Sequence, residues 1–346
     1  METSMENPGE GLPPSPTIDR CMTEVLGPYA LLAGMKLDVF TPLADGPNSA
    51  ERLATRLGVR PERLRPLLFA LAATGLLRAE GDGAFANAPE ADHYLVRGRP
   101  HFVGDLHVSF EDTWRGGLLT AESIRAGRPL AALDYAAMSA DEVARFFTGQ
   151  HPYALLGGWK LAEAVDFGCC RRVLDVGGGS GGVSIALCQR LPSLRATVVE
   201  LPSVAPVAER YIKKAGLAER IDVVRADVVA ATPAGAFDVA ILRSLLQVLS
   251  PEDARTALRH VRPALAPGGT LYVLGQILDD DRLGPQSAVL LNLSFLAFYE
   301  RGGSHTEAEH REWLAAAGFV DAERRLTPNG ISMVVARVPG GDGPPS

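Results

Sequence analysis

The chain has 346 residues, of which 47% are hydrophobic and 22% charged, with a formal net charge of −7. That length predicts two domains, and the acidic balance argues against a phosphate-binding face for nucleic acid. Cys21, Cys169, Cys170 and Cys188 lack metal-ligand spacing, and no apolar run reaches the roughly 20 residues a membrane helix needs. A cytoplasmic protein with reduced cysteines and no bound metal is expected.

Residues 1–17 carry Pro, Gly, Ser and Glu with little to bury and are expected to be disordered, as are residues 339–346. The first stretch is acidic and Pro-rich, unlike a signal peptide. From Ile18 to about Phe40, Met22, Val25, Leu26, Tyr29, Leu32 and Leu37 recur at helical spacing and predict one long apolar helix. Ser49 reads as the N-cap of a helix over 50–57 that Gly58 ends. Pro61 opens the next, with Leu64, Leu67, Leu68 and Leu71 as its apolar residues. Strands over 76–78 and 84–87 flank Gly81-Asp82-Gly83, a hairpin signal. Helices followed by a two-stranded wing make 18–101 a winged-helix unit. Its second helix carries Arg60, Arg63 and Arg65, yet leucines occupy much of its surface. A dimerisation module therefore fits better than a DNA reader.

Residues 102–167 read as a helical linker or lid, clearest over 142–147 and 153–165. From Arg172 strands and helices alternate. Strands are expected at 173–176, 196–200, 221–225, 239–242, 270–274 and 331–337, and helices at 183–191, 205–215, 254–265 and 307–317. Pro267-Gly268-Gly269 reads as a turn. Alternation of this kind implies a doubly wound, Rossmann-like α/β sheet.

The strongest chemical signal is Val173-Leu174-Asp175-Val176 followed by Gly177-Gly178-Gly179-Ser180-Gly181-Gly182 and a helix. Glycines let the backbone turn sharply and approach a ligand closely. The first βα turn of such a sheet is where nucleotide-like ligands bind. Glu200 ends the second strand, where a carboxylate can take both hydroxyls of a ribose. Asp227 follows the third, within reach of an adenine amino group. No lysine and hydroxyl follow the glycines, which excludes a P-loop.

With these motifs in place, the chain resembles the bacterial and plant-type O-methyltransferases, which pair a winged-helix dimerisation domain with a Rossmann-like domain. The matching stretches are VLDVGGGSGG (173–182), VVELPSV (198–204), FDVAILRSLLQVLSPEDA (237–254), LAPGGTLYV (265–273) and GGSHTEAEHREWLAAAGF (302–319). The resemblance implies a methyltransferase domain over 102–338, a homodimer and S-adenosylmethionine as cofactor. It implies that Asp175, Gly177, Gly178 and Gly179 cradle the methionine moiety. Glu200, followed by Leu201, stands at the ribose ligand, and Asp227 and Val228 flank the adenine. Arg243 stands where many members have a lysine near the cofactor.

Two departures follow from the same resemblance. Gln247 occupies the position of the histidine base, and Gly275 that of the glutamate orienting it. A phenol has a pKa of about 10, so a base normally helps remove its proton. A neutral amide can only position a substrate by hydrogen bonds. Three explanations stay open: a carbon acceptor, an already acidic acceptor aligned by the site, or another histidine. His305, His151 and His107 are the candidates, and His310 is expected at the surface. In the family the helix over 290–299 lines the acceptor pocket. That makes Asn292, Phe295, Phe298 and Tyr299 candidate substrate ligands, with Trp114, Phe146, Phe147 and Trp159 opposite. The expected activity is methyl transfer to a small aromatic or polyketide-like metabolite, oxygen before carbon. A cofactor-retaining but non-methylating enzyme is the second reading.

Overall fold

The computed structural model describes residues 14–340. The disorder expected of 1–13 and 341–346 lies outside the described residues. Two compact units divide after Gly104.

In the first unit the single long helix expected over 18–40 is two, α1 (Pro16–Thr23) and α2 (Leu26–Lys36). Pro28 explains the break, because its ring removes an N–H and crowds the carbonyl four residues earlier. Pro16 and Thr17, expected in the disordered tail, open α1, where proline's fixed φ suits a first turn. β1 (Asn48–Ser49) precedes α3 (Ala50–Leu57), whose start is capped by the Ser49 hydroxyl accepting from the Arg52 N–H. α4 (Pro61–Ala73), β2 (Leu77–Ala79), β3 (Ala84–Asn87) and α5 (Pro89–Tyr94) follow. The strands form an antiparallel sheet in the order β1-β3-β2. Phe40, Leu53, Leu64, Leu68, Leu71 and Phe85 are buried. In contrast Ile18, Met22 and Leu26 are 67%, 71% and 61% exposed.

The second unit begins with α6 (Leu106–Gly117), α7 (Thr120–Ala126) and α8 (Ala140–Ala164). The stretches 142–147 and 153–165, the clearest of the region expected to be helical, both lie in α8, where Pro152 costs a backbone bond without ending the helix. Then come β4 (Arg172–Val176), α9 (Gly182–Arg190), β5 (Arg195–Glu200), α10 (Ala205–Lys214), β6 (Ile221–Arg225), β7 (Phe237–Arg243) and α11 (Pro251–Val261). After them run β8 (Leu265–Leu274), β9 (Ile277–Leu278), α12 (Gln286–Phe298), β10 (His305–Thr306), α13 (Glu307–Ala316), β11 (Val320–Leu326) and β12 (Ser332–Arg337). Pro267-Gly268-Gly269, expected as a turn before a strand, lies inside β8. The β7–β8 register shifts between Phe237 and Val239 and absorbs the irregularity.

Seven strands pair in the order β11-β12-β8-β7-β4-β5-β6. β6, β5, β4, β7 and β8 run parallel; β12 lies antiparallel between β8 and the edge strand β11, which runs in the same direction as those five. Side chains alternate between the faces. Leu174, Val176, Leu242, Leu271 and Val334 pack on one face with α11 and α13. Val173, Val198, Ile241 and Val335 pack on the other with α8, α9 and α10. The strand order reverses beside β4, which places the ligand crevice at the carboxyl end of that strand. Among the described residues, no helix is long and apolar enough to cross a membrane.

Candidate active site

The chain leaves β4 through the glycine loop at this crevice. Gly177 N–H donates to the Val199 carbonyl (2.8 Å), tying the loop to β5. Gly179 sits at φ 58°, and a Cβ there would lie 2.6 Å from the Phe147 ring. Only glycine satisfies both demands. Glu200, 8% exposed, accepts from the Gly179 N–H through Oε2 (2.6 Å) and from the Leu201 N–H through Oε1 (2.8 Å). A carboxylate has about four lone-pair positions, so about two stay open for hydroxyls. Burial pushes the Glu200 carboxyl up to about 7, against those two hydrogen bonds.

Asp175 is 1% exposed and accepts from the Ser184 hydroxyl (2.7 Å). Burial raises it to about 6. It braces the loop from beneath. Asp227 is exposed and accepts from the Val229 N–H (2.8 Å), while the buried Val228 accepts from His260 Nδ1 (2.8 Å). Arg243, at the end of β7, donates to the Tyr153 carbonyl (3.2 Å), and its guanidinium lies 4.5 Å above the Tyr153 ring. Burial lowers its pKa, and the neighbouring Tyr153 and Asp175 oppose that shift.

After β7 the chain turns through Ser244 at φ 57° into a short 3-10 turn carrying Gln247. Gln247 Oε1 accepts from the Gln276 N–H (3.2 Å), and its own carbonyl accepts from the Gly303 N–H (2.8 Å). A Cβ at Gly275 would lie 2.7 Å from Gln247 Oε1, so the amide uses the space a side chain at 275 would take. Asn292 Oδ1 accepts from the Ser304 N–H (2.7 Å), fixing the 302–305 loop to α12.

His305 stands in β10, which pairs in parallel with β9. It is 8% exposed, with its ring edge-on to Trp313 at 4.7 Å. Burial and the nearby His310 push it down to about 4, and a hydrogen bond to the Leu246 backbone opposes them. Its Nε2 is buried without a partner. His310, expected at the surface, is 4% exposed, with Nδ1 hydrogen-bonded to the Thr306 carbonyl (2.7 Å). The correction has a clear cause: His310, Trp313 and Leu314 share the face of α13 that packs on the core. Gln247, Gly275, Gln276, His305 and His310 line a small cavity of about 10 Å³.

His151 does not join that cluster. Its Nδ1 shares a hydrogen bond with the Ser180 hydroxyl (2.9 Å), and its ring stacks on Tyr211 at 3.7 Å. Burial, with Lys214 and Arg210, holds it down to about 4, so a neutral ring buttresses the glycine loop. His107 lies half-buried on α6, and Trp159 half-buried on α8.

An aromatic wall runs from the loop to α12. Phe147 touches Gly179, Phe146 packs edge-on to Phe147, and Tyr135 edge-on to Phe146. The Tyr135 and Tyr299 hydroxyls are hydrogen-bonded (2.9 Å), and Phe295 packs edge-on to Tyr299. Phe298 packs on Gly116 of α6. The 131–133 backbone bonds to the end of α12, through Ala131 N–H to the Ala297 carbonyl and Leu133 N–H to the Phe298 carbonyl. Sequence reasoning missed Tyr135, Tyr153 and Gln276. The first two are lone aromatics in helical or loop sequence, and Gln276 contributes only backbone.

Residues 124–320 match the O-methyltransferase domain, and residues 21–97 match the O-methyltransferase dimerisation domain. The chain belongs to the O-methyltransferase family. It is similar to the 3-hydroxy-5-methyl-1-naphthoate 3-O-methyltransferase of Streptomyces sahachiroi, at 33% identity over 95% of this chain and 98% of the relative. It is also similar to the tetracenomycin polyketide synthesis 8-O-methyl transferase of Streptomyces glaucescens, at 30% identity over 90% and 94%. Not all such relatives methylate oxygen. The aclacinomycin 10-hydroxylase of Streptomyces purpurascens is 32% identical over 94% and 90%. The L-tyrosine C(3)-methyltransferase of Streptomyces lavendulae is 28% identical over 84% and 82%. The fold matches that of human N-acetylserotonin methyltransferase in complex with S-adenosylmethionine, with a TM-score of 0.81 and 22% identity over 95% and 100% of the two chains. As a member of this family the chain is a methyltransferase-class enzyme, and S-adenosylmethionine is its cofactor.

Proposed function

We propose that this enzyme methylates a hydroxyl of a flat aromatic or polyketide-like metabolite, as a cytoplasmic homodimer. The observation that carries the reading is the aromatic wall Phe147–Phe146–Tyr135–Tyr299–Phe295. It connects the glycine loop to α12 and suits a planar, apolar ring. Both Streptomyces O-methyltransferases above are named for naphthoate or polyketide substrates.

In this reading Gly177, Gly178 and Gly179 let the backbone approach the methionine portion, over the support of Asp175. Glu200, beside Leu201, holds the ribose hydroxyls with its open lone pairs. Asp227 and Val228 flank the adenine, and Arg243 supplies a cation nearby. The bound cofactor supplies an electrophilic methyl on a positively charged sulfur. The protein's task is then alignment, since in-line displacement rewards a reacting pair held at about 3 Å. Gln247 orients the acceptor. Asn292, Phe295, Phe298, Tyr299, Phe147 and Trp159 shape its pocket, and His107 borders it.

Carbon is the second reading, favoured by the amide at Gln247 and the bare Gly275. The test is incubation with methyl-labelled S-adenosylmethionine and a phenol panel that includes 3-hydroxy-5-methyl-1-naphthoate. The expected result is S-adenosylhomocysteine with label on oxygen. Label on carbon selects the second reading, and no turnover with any phenol overturns the first.

A further inference from the structure

We infer that Gln247 and His305 together form a two-point cradle for one hydroxyl, with His305 Nε2 taking its hydrogen. This rests on the oxygen-methylating reading above and names the group that meets the proton.

The amide orientation of Gln247 is fixed by its partner. The Gln276 N–H can only donate, so the atom facing it is Oε1. The NH₂ end of Gln247 is left as a donor. The tautomer of His305 follows in the same way. The nearby Leu246 backbone raises the basicity of the ring. Nε2 is the nitrogen without a partner, so Nδ1 carries the proton and Nε2 presents a bare lone pair. Both residues line the one cavity of about 10 Å³, room for a single oxygen. A donor and a lone pair on that oxygen-sized space specify an O–H: the oxygen accepts from Gln247, and the hydrogen goes to His305. The oxygen belongs either to the methyl acceptor or to a water bridging to it.

The surrounding charges leave His305 as the proton's destination. Glu309 on α13 is engaged, with one oxygen on the Thr306 N–H and the other on Arg282. His310 donates through Nδ1 to the Thr306 carbonyl and borders the same cavity, but of the two rings only His305 has a buried nitrogen without a partner, Nε2. In the transfer, a lone pair of the hydroxyl oxygen forms the O–CH₃ bond as the S–CH₃ bond breaks. The electron pair of the broken bond stays on sulfur, which becomes a neutral thioether, and the hydroxyl proton moves to Nε2. One positive charge is thereby moved from sulfur to imidazole, and none is created. That offsets the burial that otherwise keeps this ring neutral.

The test is ¹⁵N NMR of the full chain saturated with S-adenosylhomocysteine, with His305→Gln used to assign the signals. The expected spectrum shows Nδ1 protonated and Nε2 bare at neutral pH, with no titration of this ring down to about pH 5. An Nε2–H tautomer overturns the inference while leaving cofactor binding, and so the family reading, intact. A crystal structure of the same complex supplies the second readout. An oxygen within hydrogen-bond distance of both His305 Nε2 and Gln247 Nε2 supports the cradle. Displacement of that oxygen by an added phenol marks direct contact, and its retention marks a water relay. A dry cavity overturns the proposal.

Discussion

Two carboxyls under the glycine loop keep their protons unusually long. Asp175 is raised to about 6 and Glu200 to about 7, from ordinary values of 3.8 and 4.5, chiefly because burial penalises charge. The folded state thus binds protons that the unfolded chain has released. By linkage the stability of the ligand-free enzyme declines as pH rises from about 4 through 7. Cofactor binding runs the other way, because an ionised Glu200 accepts from both ribose hydroxyls. Calorimetry of S-adenosylhomocysteine binding near pH 6.5, in two buffers of different ionisation enthalpy, should record proton release and tighter binding toward about pH 8. Binding that is indifferent to pH would remove Glu200 from the ribose. Both carboxyls were legible in the sequence as strand-end acids, Asp175 just ahead of the glycines and Glu200 at the end of the next strand. Tyr135 was not. Its partner Tyr299 is 164 residues away, and no local pattern reports such a pairing.

At the scale of elements, α13 carries the active-site wall on its buried face. Trp313 is fully buried there, beside the rings of His305 and His310 and under the guanidinium of Arg255. Trp313→Ala should cost about 3–5 kcal/mol of stability. Urea titration should show the midpoint falling, and methyl transfer should weaken as well because His305 loses its support. Unchanged stability would mean that the helix holds without its anchor. The start of α13 was readable, and the structure adds a capping box between Thr306 and Glu309. Its buried face was misread, because a histidine between charged residues looks solvated until the neighbouring sheet is present. Proline misled once. Pro28 splits a helix that periodicity had joined, whereas Pro152 sits inside α8 without ending it. Short pairings such as β9 with β10, two residues each, are too brief to leave a period.

Across the whole molecule the alternation of strands and helices was enough to give the sheet its class. The edge strand β11, whose residues are all exposed or half-buried, left no comparable signal. The winged-helix unit presents Ile18, Met22 and Leu26 to solvent on α1 and α2, the last two within the residues that match the dimerisation domain. Met22→Glu combined with Leu26→Glu should turn a dimer into a monomer in analytical ultracentrifugation, since two charges cannot be desolvated cheaply at an apolar contact. A dimer that survives both charges would place the interface elsewhere.

The strand order also dictates an order of events in folding. β11 precedes β12 in the chain, yet among the described residues β12 is its only neighbour in the sheet. Residues 320–326 therefore have no place in the sheet until residues 332–337 slot between them and β8. A chain cut near residue 330 would expose two unpaired strand edges at once, the side of β8 and the whole of β11. Those are the segments a holding chaperone or a protease would be expected to find first.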